Sequence, residues 1–79
     1  MNNTEKLKTA FSTALNIDIS AVKDSLKYQA IPEWDSVSHM VLISEIEETF
    51  GISIDTDDVI DMSSFAKAKQ IVTKHNIAF

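Results

Sequence analysis

Apolar residues recur along this chain with the period of amphipathic helices in some stretches and lose that period in others. From Thr4 to Leu15 they fall at Leu7, Ala10, Phe11, Ala14 and Leu15, the i, i+3, i+4, i+7 spacing of one buried helical face. Asn2 or Asn3 is placed to cap this helix, Glu5 lies in its first turn, and Asn16 is its expected stop. Between residues 17 and 35 the period fails. Ile17, Ile19, Val22, Leu26 and Ile31 are spaced as single anchors, Ser20 caps one short turn through Asp24, and Pro32 holds Ile31 away from a helical conformation. The stretch reads as a long ordered loop, and long loops inside small domains are often functional.

Ser36 to Phe50 is the strongest helical pattern. At 100° per residue His39, Leu42, Ile43, Ile46 and Phe50 share one face. Asp35 is the expected cap, and Gly51 sits where a helix-ending glycine belongs. The opposite face carries Val37, Val41, Ser44 and Glu48, so two apolar residues stand on the side away from the core. Ile52 and Ile54 alternate with polar residues, but no second strand is available to pair with them, so an extended segment that buries both is expected. Thr56 is the expected cap of a short helix with Asp57 and Asp58 in its first turn. A last helix, beginning after Ser63 or Ser64, carries Phe65, Ala68, Ile71, Val72 and His75 inward and Lys67, Lys69 and Lys74 outward. The predicted fold is all-α: a four-helix bundle of three main helices and one short one, with a long first loop, in a single domain spanning 1–79.

Composition narrows the function. With 79 residues the chain has room for one small core. The absence of Cys excludes disulfides and thiolate zinc sites, and a single Gly excludes a P-loop and a dinucleotide fingerprint. No apolar run approaches membrane-span length and no signal-peptide core opens the chain, so a cytoplasmic protein is expected. The net charge is -5, and nine of the twelve acids lie from Glu33 to Asp61, where there is no Lys. That negative middle disfavours nucleic acid and anionic membrane and favours encounter with basic protein surfaces.

Ser36 opens the strongest helix beside its capping acid, where helix N–H groups favour anions such as a phosphate ester. The surrounding pattern is Trp34-Asp35-Ser36-Val37, then Leu42-Ile43, Ile46-Glu47-Glu48 and Phe50-Gly51-Ile52. This pattern resembles the acyl carrier proteins and the related peptidyl and aminoacyl carriers, over essentially the whole chain. The resemblance implies that Ser36 receives 4′-phosphopantetheine from coenzyme A, that Asp35 aids the modifying transferase and its metal, and that the protein is a carrier without catalytic residues or a metal site of its own. It implies as partners a phosphopantetheinyl transferase, an acyl- or aminoacyl-activating ligase, and a downstream acyltransferase or synthase. Val37 stands where the family usually has Leu, Glu33-Trp34 where fatty-acid-synthesis carriers show Leu-Gly, and Val41 where they often place an acid. Those departures point to a dedicated carrier of a specialised pathway, with aminoacyl or D-alanyl cargo as the alternative to acyl.

The expected docking face is Val37, Met40, Val41 and Ser44 rimmed by Glu47 and Glu48, extended by Ile54, Asp57, Asp58 and Ile60. Met40 has an equal claim as a flank of the core. A monomer is expected, and a cavity beneath Leu42, Ile46, Ile54, Ile60 and Ile71 is the candidate shelter for an alkyl chain. Trp34 either lines the site of the arm or plugs the gap between loop and bundle, and packing is favoured because small cores rely on large aromatics.

Three other chemistries fit poorly. A Ser36–His39–Asp hydrolase lacks an oxyanion hole and a cleft. A calcium loop starting at Asp55 would place Ile60 and Ala66 where Gly and Glu are required. His39 and His75 lack metal-ligand spacing, and His39 is expected at the core boundary. An unmodified helical interaction module remains the bland alternative to the carrier, and the two differ in whether Ser36 bears an arm.

Overall fold

The computed structural model describes residues 2–79, so Met1 of the expected domain lies outside the described residues. Helix α1 is Asn3–Leu15, a 3-10 turn follows at Ile19–Ala21, α2 is Ser36–Phe50, α3 is Thr56–Asp61 and α4 is Phe65–Thr73. The all-α bundle with a long first loop is therefore the observed architecture. Among the described residues the only strand-like pairing is an isolated antiparallel bridge between Lys27 and Ser64. It docks the long loop on the α3–α4 junction through Tyr28 N–H to Ser63 O at 2.9 Å and Phe65 N–H to Leu26 O at 3.0 Å.

Each long helix ends for a local reason. Asn2 caps α1 by accepting the Glu5 N–H, and Asn16 closes it in the left-handed region at φ 55°. Asp35 caps α2 through the Ser38 N–H, and Gly51, at φ 65°, returns its own N–H to Glu47 O. Ser64 caps α4 by accepting the Lys67 N–H at 3.0 Å. That helix ends at Thr73, so His75 lies beyond it rather than on its inner face, in a turn closed by its N–H to Val72 O.

Two expected caps are corrected. Asp18, not Ser20, caps the turn in the long loop, because its carboxylate reaches the Ser20 N–H and the helical turn starts earlier, at Ile19. The N-cap position of α3 is Asp55 rather than Thr56, and it makes no side-chain hydrogen bond.

The core gathers Leu7, Phe11 and Leu15 of α1, Leu42, Ile43 and Ile46 of α2, and Phe65, Ala68, Ile71 and Val72 of α4, with Val22, Leu26, Trp34, Ile54 and Met62 from the connections. Trp34 is fully buried and settles as packing. It meets Phe11 edge-on at 5.3 Å between ring centroids, and Phe11 meets Phe65 the same way at 5.1 Å. Such edge contacts add to the large apolar area that aromatics bury. Two apolar residues turn outward, Ile19 against expectation and Ile60 in line with the docking reading but not with the shelter reading. Ile19 is exposed at the tip of the 3-10 turn, and Ile60 is 77% exposed on α3. Ile60 is therefore no part of a shelter beneath Leu42, Ile46 and Ile71, which all belong to the buried core.

Candidate functional site

Asp35 sets the geometry at the head of α2. Its extended backbone turns the chain into the helix while its Oδ1 accepts the Ser38 N–H at 2.8 Å and its carbonyl oxygen the His39 N–H at 2.8 Å. The hydrogen bonds from Ser38, backbone first and side chain second, hold the Asp35 carboxyl below its ordinary value of 3.8. Ser36 follows as the first helical residue, with its side chain exposed.

Ser36 lies on the rim of an open groove of about 330 Å³, walled by Tyr28 of the long loop, His39 and Met40 of α2, Val59 and Ile60 of α3, and Ser63. None of these residues belongs to the fully buried core, so the groove is an outer feature of the molecule. Its volume is at the small end of ligand cavities, about 300–1,000 Å³. Trp34 does not line it.

His39 forms the back of the groove and its roles follow from its partners. The indole N–H of Trp34 lies 3.0 Å from Nδ1, and the carbonyl oxygen of Val59 lies 2.7 Å from Nε2. An indole N–H only donates and a carbonyl only accepts, so Nδ1 accepts and Nε2 carries the proton. Both ring nitrogens are committed, and His39 has none to offer the Ser36 hydroxyl. That arrangement removes the hydrolase reading of Ser36 and His39. Among the described residues no group of three or more His, Asp or Glu side chains is arranged to hold a metal ion.

The expected docking residues divide into two sets. Val37, Met40 and Val41 are exposed at 73%, 58% and 49%, and Ser44 and Glu48 are exposed beside them on the outer side of α2. Met40 is thus a surface residue rather than a flank of the core. Ile60 of α3 joins Met40 at the groove, and Asp57 is exposed.

Ile54 is buried, as the extended-segment reading expected, and only its docking reading is corrected. It is 9% exposed and packs into the core, so its side chain is not on the docking face. Glu47 is half-buried, and its Oε2 accepts the Ile54 N–H at 2.8 Å while its carbonyl oxygen accepts the Ile52 N–H at 3.1 Å. It clamps the extended segment to the end of α2 instead of standing free at the rim. Asp58 is largely covered and accepts from Lys74 Nζ at 2.8 Å. That contact, and the neighbouring Asp61 and Asp55, hold the Lys74 ammonium above its ordinary 10.5. Lys67 pairs with Asp61 at 3.2 Å and Lys69 with Asp24 at 2.8 Å. Lys67 and Lys69 of α4 and Lys74 just after it thus reach back onto the acids of α3 and the long loop, and Glu48 and Asp57 stay exposed as an open negative rim.

The Trp34–His39–Val59 chain escaped sequence reasoning. The only signal was a His at the boundary of an apolar helical face, five positions after a Trp.

Two comparisons bear on the site. The family described as "Phosphopantetheine attachment site" matches residues 5–71. An acyl carrier protein of Lactobacillus johnsonii is 26% identical over 70 residues, covering 89% of this chain and 88% of that one. Among the described residues no helix is long and apolar enough to cross a membrane.

Proposed function

This chain belongs to the phosphopantetheine-attachment family of acyl carrier proteins, and from that premise we propose that Ser36 is its attachment residue. The exposed Ser36 hydroxyl on the rim of the groove carries this reading. The family's prosthetic group, 4′-phosphopantetheine, supplies a terminal thiol that holds an acyl group as a thioester.

The residues present fit such an arm. Ser36 offers an exposed oxygen at the head of a helix, where phosphate is favoured, and the groove leading from it is walled by Met40, Val59 and Ile60 for an alkyl stem and by the hydroxyl-bearing Tyr28 and Ser63 for amide groups. Asp35 fixes the first turn of α2, on which Ser36 stands. In the attachment step the Ser36 Oγ–P bond forms, the phosphoanhydride bond of coenzyme A breaks, adenosine 3′,5′-bisphosphate leaves, and the hydroxyl proton passes to the transferase.

The protein is a carrier rather than an enzyme: its own residues bind, position and present, and the chemistry belongs to its partners. Those are a phosphopantetheinyl transferase, an acyl- or aminoacyl-activating ligase and a downstream acyltransferase or synthase, met in the cytoplasm by a single-domain monomer. Docking falls to Val37, Met40, Val41, Ser44 and Glu48, an apolar patch with a carboxylate rim. The pathway is a specialised one, supported by Trp34 ahead of Asp35-Ser36 and by Val41 on the docking face. Aminoacyl cargo, of the peptidyl or D-alanyl type, is the second reading and rests on the same Trp34.

The test is the state of Ser36 in protein taken from its natural host. Cleavage after lysine yields one peptide, Tyr28–Lys67, with Ser36 among six serines, so fragmentation must localise the group. A phosphopantetheine increment on Ser36 is expected. An unmodified Ser36 throughout would leave a helical interaction module using the same face.

A further inference from the structure

Helix α3 is the least anchored helix of the bundle. It has six residues, none of them buried, and no side-chain cap at its head. A helix leaves its last four carbonyls without internal partners. Here the Ser63 N–H turns back to Asp61 O, and His39 Nε2–H takes Val59 O. The same imidazole stacks on the Trp34 indole, 21° from parallel with centroids 6.1 Å apart, and accepts its N–H. Trp34 in turn is wedged against Phe11 in the centre of the core. One side chain of α2 therefore ties the end of α3 to the largest fully buried side chain in the molecule. The other contacts of α3 are the exposed ion pair of Asp61 with Lys67, which contributes little, the pair of the largely covered Asp58 with the exposed Lys74, and the packing of Val59 against the core.

We propose that Trp34, His39 and the Val59 carbonyl form a strap that keeps α3 shut over the core, so that a cargo tethered at Ser36 rests in the outer groove instead of entering the bundle. The inference rests on the reading of Ser36 as the attachment residue and narrows its cargo to short or hydroxylated acyl groups. A chain entering between α2 and α3 has to part His39 from Val59, which leaves an imidazole N–H and a helix-end carbonyl unmet at once. The groove must take the end of the arm as well as the cargo, and at about 330 Å³ it leaves little room for a long alkyl chain. Tyr28 and Ser63 in its wall suit a cargo that carries a hydroxyl.

The experiment loads the full chain from octanoyl-coenzyme A and from 3-hydroxybutyryl-coenzyme A with a promiscuous transferase. It follows intact mass, core methyl resonances and melting temperature in the parent and in His39→Phe. In the parent, both cargoes should shift the resonances of Tyr28, Val59 and Ser63 while the methyls of Leu42, Ile46 and Ile71 stay in place and the melting temperature is unchanged. In His39→Phe, octanoyl should move those methyls and raise the melting temperature by several degrees. Octanoyl shifting the core methyls of the parent overturns the strap, as does an unmoved core in the loaded variant. Groove resonances that ignore both cargoes overturn the seating. If His39→Phe does not fold, His39→Leu, which removes the Nε2–H donor to Val59 and leaves the Trp34 core untouched, takes its place with the same expectations. Absence of any mass increment overturns the attachment reading itself and is told apart from failure of the strap by mass alone.

Discussion

His39 of α2 and Val59 of α3 lie 2.7 Å apart through Nε2 and the carbonyl oxygen, and that bond is possible only because Nδ1 of the same ring accepts from Trp34. The pair fixes a single neutral tautomer. Long-range proton–nitrogen spectra of the imidazole should show Nε2 protonated and Nδ1 bare. A ring protonated on Nδ1 instead would contradict the arrangement.

Trp34 is the central side chain of the core, and Trp34→Ala removes its contact with Phe11 and the donor to His39 together. The loss should be about 3–5 kcal/mol, a large share of the about 5–15 kcal/mol that holds a domain of ordinary stability. Urea unfolding of the variant should show the midpoint moved to markedly lower urea. A loss below about 1 kcal/mol, the size of a mild substitution, would show that the indole is not the keystone of the packing.

Gly51 ends α2 at φ 65°, and nothing lies within 4 Å of where a Cβ would stand. Gly51→Ala should therefore cost about 1 kcal/mol from backbone strain alone, with no clash and no change in loading at Ser36. A cost several times larger in chemical denaturation would mean that the Glu47 clamp, which binds this turn, had been broken as well.

The Asp35 carboxyl titrates below its ordinary 3.8, chiefly because it accepts the Ser38 N–H. A depressed folded-state value means that its contribution to stability is fully present above 3.8 and is lost as the pH falls through the folded value. Asp35→Asn keeps a capping oxygen and removes this titration. Melting curves of the two proteins should run together near neutrality and diverge in their acid slope below 3.8. Identical acid slopes would contradict the prediction. Lys74 works in the opposite sense. Its value is raised, first by the hydrogen bond to Asp58, so its contribution is present below 10.5 and is lost as the pH rises through the folded value. Lys74→Met should flatten the alkaline end of the same curves.

Much of this fold was legible in the chain. The helical period of Leu7, Phe11 and Leu15, and of Leu42, Ile43 and Ile46, is a local property, and so are the caps at Asn2, Asp35 and Ser64 and the stop at Gly51. The family pattern around Ser36 was legible for the same reason. What escaped was set by contacts between distant segments. Ile54 carried two readings, buried beside Ile52 and extending the docking face, because alternation alone does not say which face meets α2, and Glu47 looked like a free rim acid because its N–H partner lies seven residues on. Ile60 stood both on the docking face and in the shelter, because α3 is too short for its periodicity to determine which way it turns. The groove exists only where the long loop, α2 and α3 meet, and no spacing within one of them encodes it.

The docking face makes its own prediction. Val41→Lys and Glu48→Lys put positive charge on an exposed apolar patch and its acidic rim, so kcat/KM for loading by a transferase should fall at unchanged melting temperature. Salt should weaken the loading of the parent more than that of the double variant. Equal rates for both proteins would move docking to another surface.

The most direct test of the carrier assignment is the intact mass of the chain after incubation with coenzyme A, Mg²⁺ and a promiscuous phosphopantetheinyl transferase, beside Ser36→Ala. One phosphopantetheine increment on the parent and none on the variant is the predicted result. No increment on folded parent, or an increment that survives in Ser36→Ala, would contradict the assignment of Ser36.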